Sequence, residues 1–179
     1  MKKRFLLAAA ILLSGLFTAE RAQAQFNNWA VGFRLGEPAG LNVRKYFGEN
    51  HAFDVNIGTY GGVYANVRSY RQGYYRNVGL AIQGHYLWHG DVGSSQTLHY
   101  YYGFGGQVGS RRYFPRNLSG QRTDYVNNIS LGGSGVGGVE YFMPNKTTSI
   151  FLEAGLYAEV LPQPLFFNVQ SGIGLRFNL

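Results

Sequence analysis

The feature that most constrains this chain is a period-two alternation of apolar with small or polar residues, which recurs eight times and runs to the last residue. The closing stretch SGIGLRFNL sets Ile173, Leu175, Phe177 and Leu179 against Gly172, Gly174, Arg176 and Asn178. Successive side chains of a strand point to opposite faces, so each such segment has one apolar and one polar face. A chain that stops inside a strand, not in a loose polar tail, needs a neighbour for that strand. An antiparallel sheet closed on itself provides one, because its last strand pairs with its first.

Eight segments carry the pattern. Trp29 to Gly36 alternates Trp29, Val31, Phe33 and Leu35 with Ala30, Gly32 and Arg34; after Glu37-Pro38-Ala39-Gly40, Leu41, Val43 and Phe47 oppose Asn42, Arg44 and Tyr46. A third strand is expected over Ala52 to Gly61, a fourth over Val78 to His89, and a fifth from Leu98 to Val108. The sixth, Ile129 to Phe142, is crowded with glycine; the seventh is Ile150 to Leu161, and the eighth runs from Leu165 to the terminus. Ser110 to Asn127 reads as a loop.

The first 24 residues stand apart. A basic start (Lys2, Lys3, Arg4), an apolar run from Phe5 to Phe17 and the small-x-small triplet Ala22-Gln23-Ala24 form a secretory signal peptide expected to be cut after Ala24. The apolar run is short for a helix, which needs about 20 residues to cross a bilayer. Residues 25–179 then form one domain. The leader takes four basic residues (Lys2, Lys3, Arg4, Arg21) and one acid (Glu20), so the formal charge falls from +7 to +4. That modest charge on an exported chain gives no case for nucleic acid. There is no cysteine, so neither disulfides nor an N-terminal lipid thioether contribute.

Two architectures fit: a soluble β-barrel with its apolar face inward around a small ligand, or a membrane barrel with its apolar face outward. Lengths favour the membrane. Eight crossings of about 10 residues leave short turns after the second, fourth and sixth strands and long basic loops after the third and fifth. Trp29, Phe47, Trp88, Tyr141 and Phe177 fall on the apolar face near one end, where an aromatic girdle marks the lipid boundary. Lys45 shares that face near the same end, where its stem can snorkel to the headgroups.

Residues 171–179, with Leu175, Phe177 and Leu179 at alternate positions, resemble the C-terminal assembly signal of outer-membrane barrels, although the last residue is leucine where an aromatic is usual. VGFRLGEPAGLNVRKYFGEN and GVEYFMPNKTTSIFLEAG are similar to the outer-membrane β-barrel proteins of Bacteroidetes-type bacteria. With the leader and the strand count, the mature chain resembles small OmpA/OmpX-like barrels. The resemblance implies an all-β, eight-stranded, antiparallel, up-and-down transmembrane barrel in the outer membrane. Its implied partners are lipid, lipopolysaccharide and the outer-membrane assembly machinery.

The chemistry then lies inside. Arg34, Arg44, Asp54, His85, His99, Glu140, Glu153, Glu159 and Arg176 sit on the polar face. An eight-stranded barrel is only wide enough to be filled by side chains, so these groups are expected to pair as a salt-bridged plug. Asp54, His85, His99 and Glu140 are also suitable types for a metal or acid/base site, but no spacing motif enforces one. Gly133 to Gly138 matches G-x-G-x-x-G without the helix a nucleotide site needs, so no cofactor is expected. A barrel enzyme acting on lipid A needs a nucleophile beside a base; the serines of the expected outer loops, Ser69, Ser110 and Ser119, have no histidine nearby in sequence. Those loops hold Arg68, Arg71 and Arg76, and Arg111, Arg112, Arg116 and Arg122, among tyrosines, a composition suited to clamping the phosphates and sugars of lipopolysaccharide.

Overall fold

The computed structural model describes residues 29–60, 69–70, 73–75, 79–115, 126–144, 147–162 and 164–179; the leader and the expected loop positions Arg68, Arg71, Arg76, Arg116 and Arg122 lie outside them. In chain order the strands are β1 (Trp29–Gly36), β2 (Ala39–Phe47), β3 (His51–Thr59), β4 (Ser69–Tyr70), β5 (Gly73–Tyr75), β6 (Leu80–Asp91), β7 (Leu98–Pro115), β8 (Val126–Phe142), β9 (Thr148–Leu161) and β10 (Phe166–Asn178). Eight of them form a closed antiparallel ring, β1-β2-β3-β6-β7-β8-β9-β10, with β10 returning to β1. The short hairpin β4/β5 adds to β7 through Tyr74↔Phe114.

The seam answers to the terminal alternation. Val31 pairs with Phe177 and Phe33 with Leu175, and the Leu179 amide donates to the Trp29 carbonyl at 2.9 Å. Both described termini therefore lie at one end of the barrel, here called the lower end, together with the turns after β2, β6 and β8. Gly48, with φ of 62°, turns β2 into β3 there, a left-handed conformation that glycine adopts without cost.

Apolar residues face out and polar residues face in. Phe33, Leu152 and Phe104 are about three-fifths exposed, while Arg44, Glu140 and Arg176 are completely buried. This is the reverse of a soluble barrel that holds an apolar ligand, and it excludes that arrangement. The floor of the lumen is apolar: Ala30, Tyr46, Ala52, Leu87, Tyr101 and Phe142 pack together near the lower end. Outside, an aromatic belt runs round the same level, with Trp88 stacked on Tyr102 (5.8 Å) and edge-on to Tyr86 (4.9 Å). Lys45 pairs in register with Trp29 and holds its Nζ 5.0 Å from the ring centroid.

Two strands are longer than their alternation. β7 continues to Pro115 and β8 begins at Val126, with pairing up to Tyr113↔Val126, so much of the expected loop from Ser110 to Asn127 is sheet. Arg111 and Arg112 are thus strand residues. The pattern fades there because Arg111, Arg112, Asn127 and Asn128 leave no apolar series to alternate, although the backbone pairing continues. β6 likewise runs to Asp91, beyond the expected end at His89, while β3 stops at Thr59. The glycine-rich β8 pairs with both neighbours, with one register shift against β9 at Leu131/Gly132.

Candidate functional site

Strand pleat alone sends Arg44, Asp54, Glu140 and Arg176 inward; closure of the ring brings them together from β2, β3, β8 and β10. Arg44 Nε donates to Asp54 Oδ1 at 2.7 Å and its Nη1 to Glu140 Oε2 at 2.8 Å. Arg176 Nη1 lies 3.0 Å from Glu140 Oε1, its Nη2 lies 3.5 Å from Asp54 Oδ1, and its Nε donates to Asn42 Oδ1. Two cations face two anions. The remaining acceptor sites are taken up by the Ser149 hydroxyl on Glu140 (2.6 Å), the Tyr46 hydroxyl on Glu140 (3.2 Å), and the Asn42 and Asn56 amides on Asp54 (2.8 and 3.0 Å). Aromatic faces complete the cage, with the Arg44 guanidinium 4.3 Å above Tyr101 and that of Arg176 3.5 Å above Phe151. Gly174 makes that last contact possible, since a Cβ there would run into the Phe151 ring.

A second pair lies two inward positions farther along β1 and β9. Arg34 Nε meets Glu153 Oε1 at 2.5 Å, its Nη1 donates to the Pro38 carbonyl, and the Tyr101 hydroxyl donates to Glu153 Oε2 at 2.8 Å. Above the four-charge cluster three glutamines bond to one another. Gln83 Nε2 donates to Gln170 Oε1 (2.7 Å) and Gln107 Oε1 (3.2 Å), and Gln170 Nε2 donates to Gln107 Oε1 (2.7 Å).

The expected residues do not all converge at one height. His85 turns to the Ser134 hydroxyl at 2.8 Å, and His99 pairs with Asp91 at 2.6 Å by the β6–β7 turn. Asp54 and Glu140 are engaged by arginines, so the metal or acid/base reading of Asp54, His85, His99 and Glu140 finds no common centre; among the described residues no group of three such ligands is placed to hold a metal. Glu159 is buried on β9 toward the upper end. Three features escaped the sequence reading: the glutamine triad, the apolar floor and the His85–Ser134 contact. The last does set a hydroxyl beside an imidazole, but both side chains are buried among the lumen groups and away from the rim. Leu175 and Phe177 on β10, and Leu179 just beyond it, are exposed on the outer face at 45%, 49% and 68%.

A closed eight-stranded antiparallel wall with an apolar exterior and a polar, side-chain-filled interior defines an outer-membrane-type β-barrel fold. Solved structures share it. Over 87% of this chain, the fold matches all of the N-terminal β-barrel domain of Pseudomonas aeruginosa OprF with a TM-score of 0.59 at 10% identity. Over 84% of this chain, it matches 93% of Neisserial surface protein A (NspA) with a TM-score of 0.51 at 15% identity. No family model matches the sequence, and no curated protein matches it.

Proposed function

We propose that this chain is an integral outer-membrane protein with a plugged lumen, without catalytic activity, that presents basic and aromatic surface loops to lipopolysaccharide. The observation that carries the reading is the inversion of the barrel: hydrocarbon-compatible side chains outside, and ion pairs that fill the bore inside. An interior bridged from wall to wall by Arg44, Glu140, Asp54 and Arg176 leaves the ends of the barrel as the places where partners are met. Arg68, Arg71, Arg76, Arg111, Arg112, Arg116 and Arg122, in the segments expected from the sequence to be outer loops, are the anion-binding groups of this reading, and the strand ending in Leu175, Phe177 and Leu179 is the handle for the assembly machinery.

The membrane part is tested by the electrophoretic mobility of the membrane fraction in SDS. An unboiled band that runs faster than the boiled one is expected; protein in the soluble periplasm with no heat-dependent shift overturns it. The surface part is tested by the lipopolysaccharide that stays with the purified barrel. Replacing Arg68, Arg71 and Arg76 together by Ser is expected to reduce it, and unchanged retention overturns the loop assignment. The lipid A mass spectrum is expected to be the same with and without the protein.

A further inference from the structure

The apolar exterior is lopsided. On β1 it starts at Trp29 and ends at Leu35, where the chain turns through the buried Glu37; on β3 it ends at Ile57. On β9 and β10, which adjoin β1 through the β1–β10 seam, it climbs much farther. β9 presents Ile150, Leu152, Ala154, Leu156, Ala158 and Val160, and β10 presents Phe177, Leu175, Ile173, Val169 and Phe167 with the small neutral Ser171 among them, and no charged side chain stands at any outward position of either strand. At about 3.3 Å per residue and a tilt of about 40°, each residue adds about 2.5 Å of height, so the β1 run is about 15 Å tall and the β10 run about 25 Å. The second figure is the height of a full hydrocarbon belt, about 25 Å; the first falls short of it.

The upper limit of the tall flank is apolar as well. Its described residues where β9 passes into β10, either side of Gln163, are Leu161, Pro162, Pro164 and Leu165; Leu161 is half exposed and Leu165 is 79% exposed. Leu165 is held at φ 64°, which bulky residues seldom adopt, and its amide donates to the Glu159 carbonyl at 3.0 Å, so the turn is pinned with leucines outward. Ile129 and Leu131 continue the surface on β8. Turns that meet water are ordinarily polar.

We infer that the β8–β10 flank, up to the side chains of Leu161 and Leu165, is a lipid-seating surface covered by outer-leaflet acyl chains. It is continuous with the lipid-facing belt below it and free of charge along its whole height. The shorter β1–β3 side is matched by tilt of the barrel or thinning of the bilayer against it. The inference rests on the membrane reading given above and adds where the lipid boundary lies.

The chain has no cysteine, so single nitroxide labels can be placed by Leu152→Cys, Leu161→Cys, Phe167→Cys and Glu49→Cys on the full barrel refolded in phosphatidylcholine vesicles, with Val160→Cys in reserve should Leu161→Cys fail to fold. The readout is collision with oxygen against collision with a water-soluble nickel complex. Oxygen is expected to dominate at Leu152, Leu161 and Phe167, and nickel at the turn residue Glu49. Nickel dominating at Leu161 and Phe167 while oxygen dominates at Leu152 overturns the inference and leaves the membrane reading standing. Nickel dominating at Leu152 overturns the membrane reading itself.

Discussion

Two polar layers of the lumen are built on opposite logic. In the lower one, four fully buried charges from four strands neutralise one another, and each carboxylate is also bound by hydroxyls or amides. In the upper one, Gln83, Gln107 and Gln170 close a ring of neutral amide bonds. A buried ion costs several kcal/mol unless its partner is present, so the lower layer is stable only when complete. An amide left without a partner costs less, about 1–3 kcal/mol. Both layers join strands far apart in the chain, but the charged one locks the closure of the ring more strongly, since the loss of one member leaves a buried ion rather than a buried amide.

The sharpest break comes from Glu140→Leu. It removes the carboxylate shared by Arg44, Arg176, Tyr46 and Ser149 and leaves two buried guanidinium groups facing one remaining anion. A loss at the upper end of about 3–5 kcal/mol is expected, read as a lower urea midpoint of the vesicle-refolded barrel and a lower temperature at which the unboiled band disappears. An unchanged midpoint would mean that the four charges do not share one buried cluster. Glu153→Leu comes next, near the lower end of about 3–5 kcal/mol, because it strands the single cation Arg34 and frees the Tyr101 hydroxyl. If both variants cost the same, the distinction between a shared and a single pair is lost.

How much of this was legible before folding follows from what a strand pattern encodes. The face of each residue is a local property, so the inward positions of Arg44, Asp54 and Arg176 follow from the pleat. Who meets whom across the bore depends on shear and closure, which no local window contains; Arg44 finds Glu140 only because β8 comes to stand opposite β2. His99 shows the error this allows. Grouped by sequence with the central charges, it pairs instead with Asp91, its registered neighbour on β6, because β6 runs on to Asp91 where a turn was expected. The floor was hidden for a related reason: Tyr86, Leu87 and Trp88 are consecutive apolar residues, and only the outward pair looks functional until Leu87 is seen packed among Ala30, Ala52 and Phe142. The lopsided belt was masked in turn by the similar look of eight short repeats, whose heights diverge only when their lower ends are aligned.

The smallest effects distinguish the two layers best. Gln107→Leu removes the acceptor shared by Gln83 and Gln170; Gln83 keeps Gln170, so only the Gln170 amide loses its sole amide acceptor in the ring, and a loss of about 1–3 kcal/mol is expected. Replacing all three glutamines by Leu removes every member of the ring at once. Asn56 still donates to Asp54 when Gln83 is gone, so no strong bond outside the ring is broken. Exchanging polar partners jointly for apolar groups of similar volume is close to neutral or stabilising, so the triple variant is expected to unfold at a urea midpoint equal to or above that of the unaltered barrel and above that of Gln107→Leu. A triple variant less stable than the single one would show that the amides contribute cooperatively to the wall, which would erase the contrast with the charged layer. The same joint exchange applied to Arg44, Asp54, Glu140 and Arg176 tests the lower layer in the same terms, because a cluster whose strength lies in completeness tolerates whole replacement better than the loss of one member.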